Sequence, residues 1–336
     1  VSVVEIREEH QLNPVADEVS AITAVVGPIL TGVLYALKQD VAANLGGYEN
    51  IPLFMLARNH RPGDGDTGIC FEYAVHDAVR RGEPSVQERV ADALKLCKVP
   101  GKEQASILFG VEKAGNQQLI DTASELLTAE SILLPGRAGR PPLLKRHLSS
   151  AAAAFRSRGL RSRLPQSIDG LWRADLFLGN SDSEKWVGTT VKINPSDLAG
   201  YRGLRIGLVP AVQGRSDAVR KDERRDLIVC PIPYDGAFVE VFYLAWEVVK
   251  TFIAADARVP KEVDLPRPPA RQVARYLADR RKFPVLDVVQ ALQSLAQPEL
   301  LRSEQSQAGL IASGGRVTDQ TTRALLTPQP IGLSPR

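Results

Sequence analysis

Phe71, Val75, Ala78 and Val79 fall on one face of a helix drawn through CFEYAVHDAVRRG, and Gly82 follows as its stop. Upstream, residues 14–45 read as helical, with a break or kink at Gly27-Pro28. Residues 58–68, RNHRPGDGDTG, are a polar loop rich in turn formers. Two further helices are predicted at 85–98 and 116–130, with Ser85 and Asn116 near their starts. The pattern changes in the second half of the chain. LWRADLFLG (171–179) and KWVGTTVKIN (185–194) alternate and are rich in bulky and β-branched residues. The polar turn Asn180-Ser181-Asp182-Ser183 joins them, so they read as a hairpin. LRIGLVPA (204–211) is a third strand, and DLIVCPIP (226–233) suits a strand buried on both faces. Between them, 213–226 is polar and reads as a loop or a short helix. FVEVFYLAWEVVKTFIA (238–254) is a buried helix whose first residues are compatible with strand. A Pro-rich linker (259–269) leads to two helices at 270–281 and 285–296, separated near Phe283-Pro284. Beyond 303 the chain turns to Ser, Gln, Thr, Gly and Pro, the composition of a mobile tail. No internal repeat is found.

Composition narrows the setting without naming a function. The chain has 336 residues, a formal charge of +3 and a pI near 8.7, which permits a nucleic-acid partner but does not demand one. Cys70, Cys97 and Cys230 are odd in number and widely spaced. Neither a disulfide framework nor a zinc knuckle is expected, and a reducing cytoplasm is the simplest location. The four histidines, His10, His60, His76 and His147, have no metal-ligand spacing. The opening VSVVEIREEH has acids where a secretion signal needs bases. Residues 19–37 carry no charge and are long enough for a membrane span. Their Ser, Thr, Gly and Pro content and unclustered flanks favour a buried helix, and no membrane association is expected.

Candidate chemistry lies in the strand-rich half. Asp175 stands in ADLFLG and Lys192 in TTVKIN, on successive predicted strands, while Glu72 stands on the earlier helix. Carboxylates that converge from different elements can hold a hard cation beside a phosphodiester, and an adjacent ammonium can steady the charge that develops. This set resembles the PD-(D/E)XK nuclease superfamily, in which an Asp ends one core strand, an acid-x-Lys tripeptide lies on the next, and a Glu often joins them from a preceding helix. The resemblance covers residues 68–82 and 165–255. It implies an α/β (α+β) fold with a restriction-endonuclease-like αβββαβ core. That core would occupy 61–260 and carry a large helical and basic insert at 83–164. Residues 1–60 would be an N-terminal helical region, 261–302 a C-terminal helical region and 303–336 the tail. It also implies cleavage of DNA, less often RNA, dependent on Mg2+ or Mn2+, commonly in restriction or antiviral defence. Asp175, Glu72 and Lys192 would be catalytic, and Asp175, Glu72 and the Val191 carbonyl would bind metal.

One position departs from the pattern. Thr190 stands where the second acid is expected. Metal could then rest on Asp175, Glu72 and Val191. A displaced acid, Asp169, Asp182 or Glu184, could compensate. Or catalysis is lost on a retained fold, leaving a nucleic-acid-binding or assembly subunit. His76, one turn after Glu72, reads as an ordinary helical histidine.

Residues 131–168 contain no acid and eight cations: Arg137, Arg140, Lys145, Arg146, Arg156, Arg158, Arg161 and Arg163. Such a stretch suits phosphate contacts. Its first part, LLPGRAGRPP, reads as a loop, and LLKRHLSSAAAAFRSRGL as a helix. Gly139-Arg140-Pro141 resembles the core of the minor-groove AT-hook. The expected partner is nucleic acid, with a homo-oligomer or a partner subunit left open. No GxxxxGK[ST], GxGxxG or GxSxG motif is present, which argues against nucleotide-hydrolase, dinucleotide-binding and serine-hydrolase readings.

Overall fold

The computed structural model describes residues 17–61, 66–109, 122–134, 141–155, 174–212, 214, 216–234, 238–260 and 264–296. The chain is a mixed α/β protein, with a seven-stranded mixed sheet and a large helical layer. The elements run α1 (Asp17–Ala36), α2 (Gln39–Asn44), α3 (Leu53–Asn59), α4 (Asp66–Arg81), α5 (Pro84–Leu96), β1 (Gln104–Leu108), β2 (Ile132–Leu133) and α6 (Leu144–Phe155). They continue with β3 (Leu176–Asn180), β4 (Lys185–Val191), β5 (Arg205–Pro210), β6 (Arg220–Asp222), β7 (Leu227–Ile232), α7 (Phe238–Ala254), α8 (Pro268–Asp279) and α9 (Val285–Leu295).

Helix ends follow local chemistry. α4 closes on Gly82, whose φ of +70° suits a residue without Cβ. The Gly82 amide donates to Val79 O and the Glu83 amide to Ala78 O, a double C-terminal closure. Glu83 then starts α5 by accepting from the Val86 amide at 2.9 Å, with Pro84 at the first helical position. Of the break or kink expected at Gly27-Pro28, the break does not occur: α1 runs through Pro28 and ends at Ala36. Thr31 Oγ1 donates to Gly27 O at 3.0 Å. Ile22, Val26, Ile29, Leu30, Val33 and Leu34 have no exposed surface, and burial of each is worth about 1.5–3 kcal/mol. That packing outweighs the ~3 kcal/mol cost of an interior proline. By length and composition Glu18–Ala36 could cross a membrane; here it is largely buried against α4, α7, α8 and α9.

The sheet order is β1-β3-β4-β5-β7-β6. β1, β3 and β4 pair antiparallel, while β5 lies parallel to β4 and β7 parallel to β5. β2 runs parallel to the start of β4 and β5 to its end, on Lys185–Trp186 and Thr189–Val191 respectively. β4 and β5 are linked by a 3-10 helix, Pro195–Gly200, opened by Asn194 Oδ1 accepting from the Ser196 amide.

Side-chain alternation divides the sheet between two cores. Leu176, Leu178, Val187 and Val191 join the main core with α1, α4, α5, α7, α8 and α9. Ala105, Ile107, Phe177 and Trp186 pack with Leu144 and Leu148 of α6 in a second core. The segment 83–164, expected as a helical insert, thus supplies two strands of the sheet, β1 and β2. The stretch 213–226, expected as loop or short helix, contains the edge strand β6. The segments 1–60 and 261–302 contribute residues such as Ile29 and Leu292 to the main core itself. The helix expected at 116–130 is described only from 122, where 122–126 are helical. Asn116, most of the basic loop and the tail 303–336 lie outside the described residues. All three cysteines are buried and unbridged.

Candidate functional site

The β3–β4 hairpin has a turn at one end and an open end at the other, and the candidate site sits at the open end. Asp175 lies immediately before β3. Its amide donates to Thr189 O and its carbonyl accepts from Phe109, so the backbone is held from both neighbouring strands. Continuing the register in which Leu176 faces Thr189, Asp175 comes opposite Thr190. Lys192 directly follows β4, with its amide held by Leu208 O of β5. Glu72 comes from the middle of α4, which packs on β1 and β4.

Three donors meet one oxygen, Asp175 Oδ2: Thr190 Oγ1 at 2.9 Å, the Val191 amide at 2.8 Å and Lys192 Nζ at 2.9 Å. The Lys192 ammonium also lies 3.8 Å from Glu72 Oε1. Asp175, Glu72 and Lys192 are therefore gathered around one charge, and Asp175 and Lys192 are on the same side of the hairpin. All three side chains are about a fifth exposed, so the charges are partly desolvated yet open to a ligand. Burial works to lower the Lys192 pKa, but the Asp175 charge and hydrogen bond, with Glu72, outweigh it. The pKa stands above its ordinary value and the side chain is a cation at neutral pH. The Tyr201 ring, at the end of the 3-10 helix, lies 6.0 Å from Lys192 Nζ and 5.3 Å from the Arg205 guanidinium.

Thr190 is buried and uses its hydroxyl to orient Asp175. Val191 contributes its amide to the same oxygen. Two of the displaced acids lie elsewhere. Asp182 sits in the hairpin turn, and Glu184 beside it accepts from Ser131 Oγ at 2.8 Å. Both are at the far end of strands that rise about 3.3 Å per residue, roughly 20 Å from Asp175. Asp169 is outside the described residues. Among the described residues no group of three or more His, Cys, Asp or Glu is placed to hold a metal.

His76 turns to the sheet, where Nδ1 meets Ser106 Oγ of β1 at 2.9 Å. Burial, with the nearby Arg80 charge, lowers its pKa to about 3. Its role is that of a neutral linker between α4 and β1. Of the basic stretch, Lys145 is engaged internally, donating to Leu127 O at 2.8 Å, while Arg146 is exposed on α6. Arg137, Arg140, Arg156, Arg158, Arg161 and Arg163 lie outside the described residues. Sequence reading missed the donor role of Thr190, and it missed Tyr201 and Arg205. A lone arginine opening the apolar run RIGLVP was the available signal for the last. Comparison of the chain with protein-family models, curated proteins and solved structures finds no match.

Proposed function

We propose that the chain is a metal-dependent endonuclease of the PD-(D/E)XK kind that hydrolyses phosphodiester bonds in DNA. The observation that carries this reading is the convergence of Glu72 and Asp175, from separate elements, on the Lys192 ammonium at 3.8 and 2.9 Å. The topology supports it. After α4 the chain carries three antiparallel strands, β1, β3 and β4, with α5, β2 and α6 placed among them, and then β5 parallel to β4. This is a partial likeness to an αβββαβ order, with a 3-10 helix standing before β5.

Mg2+ is commonly held by one or two carboxylates, with water and substrate oxygens completing its shell. Glu72 and Asp175 fit that donor set, with the Val191 main chain adjacent. A divalent ion held there supplies charge neutralisation at the phosphate and a water of lowered pKa. The chain's own groups do the rest. Lys192, kept protonated by its two carboxylates, offers N–H donors to a phosphate oxygen as negative charge builds. Thr190 and Val191 fix the Asp175 carboxylate so that no reorientation is needed during reaction.

Purified protein is incubated with plasmid and single-stranded DNA in Mg2+ or Mn2+, beside Asp175→Ala. Metal-dependent cleavage that disappears in the variant is expected. A second reading, a non-catalytic nucleic-acid-binding or assembly subunit, is favoured by Thr190 donating to Asp175 where the pattern calls for an acid. Salt-sensitive DNA binding by both proteins without cleavage in either metal would select it.

A further inference from the structure

Two helix ends, those of α1 and α3, bring three cations together. Lys38 follows α1, Arg58 lies in α3 and Arg61 just beyond it. These three line one surface cleft, whose wall includes Ile69 of α4. The Arg58 guanidinium then spans to Asp256, behind α7, with Nε–Oδ1 at 3.0 Å and Nη2–Oδ2 at 3.1 Å. Arg258 and Arg281 act on the same carboxylate and, with Lys282, line a second cleft. The Phe54 amide donates to Arg281 O, tying the α8–α9 turn to α3. The two clefts are thus joined at the Arg58–Asp256 pair and form one band.

Among the described residues the band holds six cations against three carboxylates, Asp40, Asp256 and Asp279, an excess of three positive charges. Concentrating that excess in one place costs self-repulsion, which a polyanion would relieve. Aromatic surface is interleaved with it: Arg58 lies 5.5 Å over the Phe54 ring, and Phe283, next to Lys282, is 56% exposed. Positive charge spread along a band beside an exposed aromatic ring is the chemistry of a nucleic-acid groove rather than of a site for a single anion. Ile69, which lines the first cleft, and Glu72 are one turn apart on the same face of α4.

We propose that this band is a track for a nucleic-acid backbone, holding phosphates on the way to Glu72, Asp175 and Lys192. Only the destination of the track rests on the nuclease reading. The test uses full-length protein in EDTA and a fluorescein-labelled duplex of about 20 base pairs. Anisotropy is followed from about 50 to about 300 mM NaCl. The band variant is Lys38→Glu/Arg61→Glu/Lys282→Glu. A control, Lys95→Glu/Lys98→Glu/Lys102→Glu, makes the same change in charge elsewhere. If the band variant melts early, its Gln counterpart is read instead. Binding weakened at least about tenfold in the band variant, with the slope of log Kd against log salt reduced by about three, is expected. The control should bind within about threefold of the wild type. Unchanged binding in the band variant, or equal loss in both, overturns the proposal. Labelled poly-glutamate is titrated in parallel; if the band variant loses only that binding and keeps the duplex, the proposal is overturned in favour of an acidic protein partner. Because nothing turns over in EDTA, a protein that binds through the band yet never cleaves defeats the nuclease reading and leaves this one standing.

Discussion

Removing the Lys192 ammonium would take away the cation that Asp175 Oδ2 meets at 2.9 Å. Lys192→Met should therefore cost about 1–3 kcal/mol at pH 7, as for a partly buried charge-assisted hydrogen bond, read from guanidinium unfolding. The pH dependence has a definite sign. The folded pKa of Lys192 lies above its ordinary 10.5, so its contribution is complete below 10.5 and is lost as pH rises through the higher folded value. The gap between wild type and variant should hold from pH 7 to about 10 and close as pH rises above 10.5; a constant gap up to pH 12 would refute the pairing. His76 works in the opposite direction. Its folded pKa is lowered to about 3, so the unfolded chain binds a proton first as pH falls below 6.5. Stability should drop by up to about 1.4 kcal/mol per pH unit in that window, less where the partly exposed ring meets water. Thermal melts between pH 7 and 4 should show a shallower decline for His76→Gln than for wild type. Parallel curves would mean that the ring is protonated inside the fold.

At the scale of elements, the hairpin that carries the site is held by a cross-strand pair at its other end. Gly179 faces Trp186, and a Cβ on Gly179 would come within 2.8 Å of the indole and 2.9 Å of Lys185 O. The second contact is backbone and cannot swing away. Gly179→Ala should lose about 1–3 kcal/mol and disturb the near-ultraviolet signal of Trp186; a neutral substitution would show that the strands can part there. The hairpin was legible in sequence because its residues alternate, and the site because its chemistry is local to Asp175 and the Thr190–Lys192 tripeptide. β1 was not, since Gln104–Leu108 is only five residues and lacks bulky β-formers apart from Ile107, and it is a strand because β3 offers it a partner. β6 is a charged edge strand, Arg-Lys-Asp, which no apolar pattern could reveal. Whether α1 breaks or continues at Pro28 was left open in sequence, because it is decided by tertiary packing rather than by the Gly-Pro pair.

Over the whole molecule, the terminal helical segments and the sheet share one core. α1 packs on α4, α7, α8 and α9, and its inward side chains meet residues from both ends of the described chain. Ile29→Ala in α1 and Leu292→Ala in α9 should each cost about 2–5 kcal/mol in a single cooperative transition, coincident by far-ultraviolet circular dichroism and tryptophan fluorescence. Two separated transitions would show that the helical layer folds alone. The central place of α1 also has a consequence in time. During synthesis α1 leaves the ribosome well before α9, which follows by about 250 residues, or roughly ten to fifty seconds at ordinary elongation rates. For that interval a long apolar helix of the protein has no complete binding surface. The nascent chain is thus a natural client for holding chaperones, and slowing translation ahead of α9 should lower the soluble yield without any change in the finished fold.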